Sequence, residues 1–171
     1  GSDALIAGGT AGIHNKGTIG VNNNGTSVNK GNVIDLQNGA TIAAISNDGK
    51  NLYTNSSGTA ILNEGTIKGN ISLDGGSKII GAIDNKNIIT GSIDLKNKSH
   101  IDSIINSGTI DGGIKLNDST IGSITNNEGA KTDLDLKNNS VVGTITNNGD
   151  MEISRDNTSS IGTFANNGNL K

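Results

Sequence analysis

Two histidines and two neighbouring aspartates are the side chains of this sequence whose types and spacing could do chemistry. His14 and His100 are far apart, and neither has a nucleophile and an acid close by to complete a catalytic set. Asp133 and Asp135 would lie on one face of a strand, which resembles the carboxylate pair of a glycosidase or a metal site. Strand alternation commonly produces this spacing, and no third acidic or basic residue completes the pair. We therefore predict that the chain is not an enzyme and binds no cofactor or metal.

The composition argues against several other kinds of site. The chain has no Cys, which leaves no disulfide and no thiolate metal ligand. A formal net charge of −3 and a pI near 5.2 give no basic footprint for nucleic acid. The Gly-x-x-Gly pieces open no helix, as a phosphate-binding loop would. No apolar run approaches the roughly 18 residues of a membrane span, so we predict no membrane insertion by this segment.

A repeated unit, clearest from Ile104 to Ile124, supplies the elements that would position any such residues. It reads as an apolar residue, Asn-x-Gly-Thr-Ile, Gly, Ile-x-Leu, a few polar residues and Ser-x-Ile-x-x-Ile. Three short strand-like pieces follow from it, at Thr109-Ile110, at Ile114 to Leu116 and at Ile121 to Ile124. Self-similarity at this period is typical of a solenoid.

The composition agrees with a solenoid and not with disorder. Only 31% of the residues are hydrophobic and 1% are aromatic, yet the 171 residues include 25 Ile, 26 Gly and 27 Asn. Disordered chains are poor in β-branched residues, whereas a thin solenoid coil is filled by stacked aliphatic side chains. Strands of three to five residues are too short for useful hairpins and must pair with equivalent strands in the next coil.

We therefore predict an all-β fold, a right-handed single-stranded parallel β-helix of about nine coils of roughly 19–21 residues. At about 4.8 Å per coil, nine coils would form a rod of about 43 Å. The coils are marked by the Asn that follows each apolar anchor. We predict that these Asn side chains stack in the turns and hydrogen-bond along the rod as a structural ladder. The ladder positions are Asn15, Asn29, Asn47, Asn63, Asn85, Asn106, Asn126, Asn147 and Asn166.

The glycine of Asn-x-Gly should supply a positive φ at the turn. The pattern varies in two places. After Asn85 the position of the glycine is occupied by Asn87, and after Asn126 an extra residue places the glycine at Gly129. Both variants keep a residue that tolerates left-handed backbone.

The outward residues of the Ile-x-Leu strands form a second column. Their charges alternate, which would avoid like-charge stacking, or would present a face to a binding partner. Both interpretations stay open. The candidate partner-binding residues are Ser72, Asp94, Lys115, Asp135 and Glu152.

The chain is predicted to hold one structural segment. Residues 1–2 read as an expression scar, and residues 3–171 as a single β-helix segment that is less regular before residue 60. Tyr53 is expected in a protruding loop. Because the repeat breaks off after Phe164 without a capping element, we expect a fragment of a longer protein.

The repeat, with its Asn-x-Gly-Thr-Ile turns, resembles passenger domains of bacterial type V secreted proteins. Autotransporter passengers are the nearest match, and the filamentous-haemagglutinin type comes second. The resemblance runs from about Ile13 to Phe164. It implies a surface-displayed or secreted chain, exported through the outer membrane by a C-terminal β-barrel that is not part of this segment. It brings no active-site residues with it.

From this resemblance we expect a non-enzymatic, adhesin-like passenger that acts in adhesion, self-association or biofilm formation. Its partners would be a second rod or a host-surface ligand. An alternative is a structural stalk that carries the active parts of a secreted toxin or other virulence factor. A carbohydrate-active β-helix enzyme is a third hypothesis, which would need a groove with clustered acids and bases.

Overall fold

The computed structural model describes residues 12–15, 34–36, 40–48, 51–53 and 58–171. Within these ranges every regular element is a β-strand, as predicted. The described residues include no helix with the length and apolarity needed to cross a membrane.

The strands are short and follow one another closely. They are β1 (Ile13–Asn15), β2 (Ile34–Leu36), β3 (Thr41–Ile42), β4 (Ile45–Asp48), β5 (Asn51–Tyr53), β6 (Thr59–Asn63), β7 (Thr66–Ile67), β8 (Ile71–Asp74), β9 (Lys78–Asn85), β10 (Ile88–Ile89), β11 (Ile93–Lys96), β12 (His100–Asn106), β13 (Thr109–Asn117), β14 (Thr120–Asn126), β15 (Lys131–Lys137), β16 (Val141–Asn147), β17 (Asp150–Arg155), β18 (Ser160–Asn166) and β19 (Asn169–Leu170).

All strand pairs are parallel, and each strand pairs with its equivalent in the neighbouring coil. An 11-stranded sheet holds two columns of strands. We call them the Thr-Ile column (β3, β7, β10, the start of β13, β15 and β17, and β19) and the Ile-x-Leu column (β1, β4, β8, β11 and the end of β13, β15 and β17). An 8-stranded sheet, the Ile-x-x-Ile column, holds the remaining strands. The chain is therefore a parallel β-solenoid.

Over the described residues the solenoid has about six coils, which differs from the nine predicted. Successive strands of the Thr-Ile column are 19 to 25 residues apart along the chain. The excess came from the N-terminal asparagines, because Asn15 pairs with Asn47 and Asn47 pairs with Leu73 in the Ile-x-Leu column. Those asparagines lie in the middle strand of a coil and do not mark the turn. At about 4.8 Å per coil, six coils span about 29 Å.

Stacked isoleucines and leucines fill the interior. In each strand the alternate side chains point inward, as at Ile114 and Leu116, which are 0% and 2% exposed. Burial of each such side chain contributes roughly 1.5–3 kcal/mol, so no aromatic core is needed. In the last coil, Phe164 and Leu170 continue inward columns but remain 39% and 45% exposed, because no further strand covers them.

The turn between the Ile-x-Leu and Ile-x-x-Ile columns carries most of the left-handed backbone of the described coils. Positive φ occurs there at Gly75 and Gly76, at Asn97 and Lys98, and at Asn138 and Asn139. Glycine and asparagine tolerate this conformation best, which explains their abundance at these turns.

The coil that holds β3 to β6 is less regular than the coils that follow it. Its third strand is interrupted, because β5 pairs with the start of β9 and β6 pairs with the end of β9. Tyr53, expected in a protruding loop, instead lies in β5 opposite Ile80. The residues inserted between the two half-strands are 54–58.

Asp156 closes the turn of the last coil with a set of hydrogen bonds. One carboxylate oxygen accepts from the N–H of Asn138 at 2.7 Å, and the other accepts from the N–H of Thr158 at 3.1 Å and of Ser159 at 2.8 Å. The bond from Asn138, followed by those from Ser159 and Thr158, holds the pKa of Asp156 well below its ordinary value.

Replacing Asp156 by Ala should therefore remove an acid-sensitive part of the stability. Since the folded-state pKa is depressed, this stabilisation is fully present above the unfolded-state pKa of about 3.9 and fades as the pH falls below it. Urea unfolding at neutral pH should show a lower midpoint for Asp156→Ala, and the difference from the parent should shrink toward pH 2. Asp111→Ala, at an exposed carboxylate, is the control. Parallel acid profiles of Asp156→Ala and its parent would contradict this assignment.

Candidate functional site

An uninterrupted ladder of asparagine amides runs along one corner of the solenoid. Each Nδ2 donates to the Oδ1 of the next coil, from Asn63 to Asn85 at 2.7 Å and from Asn106 to Asn126 at 2.9 Å. The same Nδ2 also donates to a backbone carbonyl of the next coil, as from Asn106 to Lys131 at 3.1 Å. Burial thus leaves the Nδ2 donors of these amides satisfied. The ladder residues are Asn63, Asn85, Asn106, Asn126, Asn147 and Asn166.

Among the described residues the ladder begins at Asn63. Leu36 occupies the equivalent place in the preceding coil, and the buried Oδ1 of Asn63 has no hydrogen-bond donor. Asn15 and Asn47 lie in the Ile-x-Leu column, as described above. Asn29 lies outside the described residues. The predicted ladder was therefore wrong at Asn15 and Asn47.

The predicted positive φ of the Asn-x-Gly turn occurs at Gly129, at 77°, and not at Asn87 or at the other described glycines of the motif. Gly65, Gly108, Gly149 and Gly168 do not have a positive φ. A Cβ on Gly108 would overlap the backbone oxygen of Asn87 in the preceding coil. Glycine is needed here because consecutive coils approach closely, and not because of a left-handed backbone.

A second buried polar column was missed at the opposite corner. Its hydroxyls donate to carbonyls three residues earlier in the same turn, as from Ser99 to Lys96 and from Ser140 to Lys137, both at 2.6 Å. The repeat contains this serine just before Ile-x-x-Ile, but a serine among turn residues gives no sign of burial in the sequence. The column consists of Ser77, Ser99, Ser119, Ser140 and Ser159.

The candidate partner-binding residues stand in one register column with a single exception. Ser72 pairs with Asp94, Asp94 with Lys115, and Lys115 with Asp135. Glu152 does not belong to this column, because it pairs with Asp133. Ser154 takes its place opposite Asp135. In the coil of β17, fewer residues separate the ladder asparagine from this column. That coil has neither the Gly112-Gly113 bulge of β13 nor the extra turn residues that precede β15.

Most of the charges on this face are paired within the chain. Asn70 donates to one oxygen of Asp94 at 3.0 Å, and Lys137 binds Asp135 at 2.7 Å. The hydrogen bond and charge of Asp135 raise the pKa of Lys137. Lys115 is exposed and has no partner among the described residues, and the second oxygen of Asp94 is buried without a donor. Asp133 and Asp135 both point outward, but only Asp135 has a cation bound.

The Ile-x-x-Ile column presents a different surface in the last three coils. The outward residues of β14, β16 and β18 carry no charge and are small or β-branched, so this part of the sheet is flat. They are Thr120, Gly122, Ser123, Thr125, Val141, Gly143, Thr144, Thr146, Ser160, Gly162, Thr163 and Ala165.

His100 has partners that sequence reasoning did not find. Its Nδ1 lies 2.7 Å from the hydroxyl of Thr120, and its Nε2 lies 3.0 Å from Asp102. Thr120 belongs to the next coil, so only the register of β12 and β14 brings it beside His100. The expectation that His100 lacks a neighbouring nucleophile and acid was therefore wrong. The side chain of His14 lies outside the described residues.

Within the described part of the chain, no group of three or more His, Asp or Glu side chains is arranged to hold a metal ion. Comparisons of the sequence with protein-family models, with curated proteins and with solved structures found no significant match.

Replacing Asn106 by Leu should destabilise the fold by roughly 1–3 kcal/mol, because Asn85 loses an acceptor and Asn126 loses a donor in a buried turn. Urea unfolding of the two proteins measures the difference. Asn63→Leu is the matched variant and should cost less, because it removes the unpaired Oδ1 and places Leu above Leu36. Equal losses for the two variants would show that the ladder bonds do not determine the cost.

Proposed function

We propose that this chain is a segment of a non-enzymatic, adhesin-like passenger of a bacterial autotransporter, displayed on the cell surface or secreted. Its proposed role is adhesion or self-association by the sides of the rod. The observation that supports this is the repetition of outward side chains in register, coil after coil, along the Ile-x-Leu column. A repetitive partner, such as a second rod, would meet the same contact at each coil.

The contacts of such an interface are individually weak. An exposed ion pair contributes about 0–1 kcal/mol, and side-chain ordering and salt reduce it further. Contacts repeated along two rods add up, because once one contact has formed the next is made at high effective concentration. Lys115 is the best candidate for the first contact, because it is exposed and unpaired among the described residues and stands between two carboxylates.

The stalk remains the second candidate. It is favoured by the pairing of Asp94 with Asn70 and of Asp135 with Lys137, which leaves few polar groups of this face in need of a partner. A stalk would keep its faces satisfied internally and present the binding parts of the protein elsewhere.

Sedimentation velocity over a wide concentration range separates these two roles. A self-associating rod should form dimers or larger species at high concentration, and salt should weaken them. Lys115→Gln should weaken association by up to about five-fold, the upper limit for one exposed pair. Joint replacement of Asp94 and Asp135 by Asn and of Lys115 by Gln should weaken it further.

Thr144→Glu is the control, because it changes the net charge by the same amount on the uncharged sheet. It should leave association unchanged. If Thr144→Glu alone lost association, self-association would remain the function, but its interface would lie on the Ile-x-x-Ile column. An elongated monomer at every concentration and salt would contradict self-association and favour the stalk or a host-surface ligand.

A further inference from the structure

A hydroxyl, an imidazole and a carboxylate form a hydrogen-bonded row on the outer surface of the Ile-x-x-Ile column. Thr120 is exposed, and the side chains of His100 and Asp102 are 32% and 35% exposed. The imidazole lies between the other two groups, at 2.7 Å from the hydroxyl and 3.0 Å from the carboxylate. A nucleophile, a base and a group that orients the base, all within hydrogen-bonding reach, are the arrangement that activates side-chain hydroxyls.

The fold holds the carboxylate in place through an irregularity of β9. The register between β9 and β12 shifts beside Asp102, and Gly81 lies at this bulge with a φ of 112°. The bulge turns the N–H of Gly81 toward the second oxygen of Asp102, at 2.9 Å. The neighbouring strand β9 thus holds one oxygen of Asp102, while the other oxygen faces His100.

The partners determine where the proton of the imidazole lies. A carboxylate can only accept, so Nε2 of His100 must carry the hydrogen that bonds to Asp102. In the neutral imidazole Nδ1 is then the acceptor, and the Thr120 hydroxyl donates to it. This is the tautomer in which His100 can take a proton from Thr120.

We propose that Thr120 is an activated nucleophile that accepts an acyl group from activated esters, with His100 as its base and Asp102 as a positioning residue. The hydroxyl oxygen attacks the ester carbonyl as its proton passes to Nδ1 of His100. The carbon–oxygen bond to the leaving group then breaks, and the leaving alcohol or phenol takes up that proton. The products are an ester on Thr120 and the free alcohol. This site is independent of the adhesive role proposed above.

The same surface limits how far the reaction can go. The N–H of Thr120 bonds to the carbonyl of Ser99 at 3.0 Å, so it cannot stabilise an oxyanion. We therefore expect one slow acylation of each chain and no rapid turnover.

The experiment uses p-nitrophenyl acetate as the acyl donor at neutral pH, with tandem mass spectrometry to locate the acetyl group. Thr144 is the internal control, because it is an exposed threonine of the same sheet with no imidazole bonded to it. Thr120 should be acetylated about 100-fold faster than Thr144, the lower end of what a positioned base contributes. Equal rates at the two threonines would overturn the proposal.

Three variants assign the roles. His100→Ala should reduce acetylation of Thr120 to the rate of Thr144. Asp102→Asn should reduce it at least ten-fold while circular dichroism stays unchanged, because the amide would donate to Nε2 and move the imidazole hydrogen to Nδ1. Thr120→Val should abolish the release of p-nitrophenolate above background. Continued release of p-nitrophenolate by Thr120→Val would indicate that His100 is the nucleophile and would overturn the proposal. Undiminished acetylation of Thr120 in Asp102→Asn would show that Asp102 is not a positioning residue.

Discussion

The fold depends on one constraint, that polar side chains buried in the turns need hydrogen-bond partners. Parallel strands set the coil spacing at about 4.8 Å, a distance that an asparagine amide bridges to its equivalent. The bonds from Asn63 to Asn166 are 2.7 to 2.9 Å long, and the corner that they satisfy is fully buried as far as Asn147. The hydroxyls of the serine column are satisfied at another corner by backbone carbonyls of their own turns. With its corners satisfied, the interior can consist of aliphatic side chains alone.

The same spacing organises the surface. Side chains at equivalent positions are brought within reach of one another, so a residue's neighbours are decided by register and not by distance along the chain. Asp135 and Lys115 become neighbours in this way. So do His100 and Thr120, which are 20 residues apart in sequence but share a hydrogen bond. A repetitive polar face and an isolated reactive cluster can therefore arise from the same architecture, on different sheets.

The regular coils were predictable, and the irregular ones were not. From Asn63 onward each ladder asparagine follows an apolar anchor at the end of a long strand, so pattern and structure agree. Asn47 follows an apolar residue too, but in the middle strand of its coil, and the sequence does not distinguish the two places. Glu152 was assigned to the wrong column because the coil of β17 lacks residues that the two preceding coils have. Only the strand pairing shows at which position these residues are missing.

The sequence by itself determined the parallel β-solenoid, its aliphatic interior and the asparagine ladder, because these follow from local repetition of strand and turn residues. Tertiary structure alone decided the number of coils, the burial of the serines, the close approach that requires Gly108, and the meeting of Thr120, His100 and Asp102. Each of these depends on which residue of one coil lies over which residue of the next. A bulge of one or two residues changes that pairing, and only the hydrogen bonds between coils show where the bulge is placed.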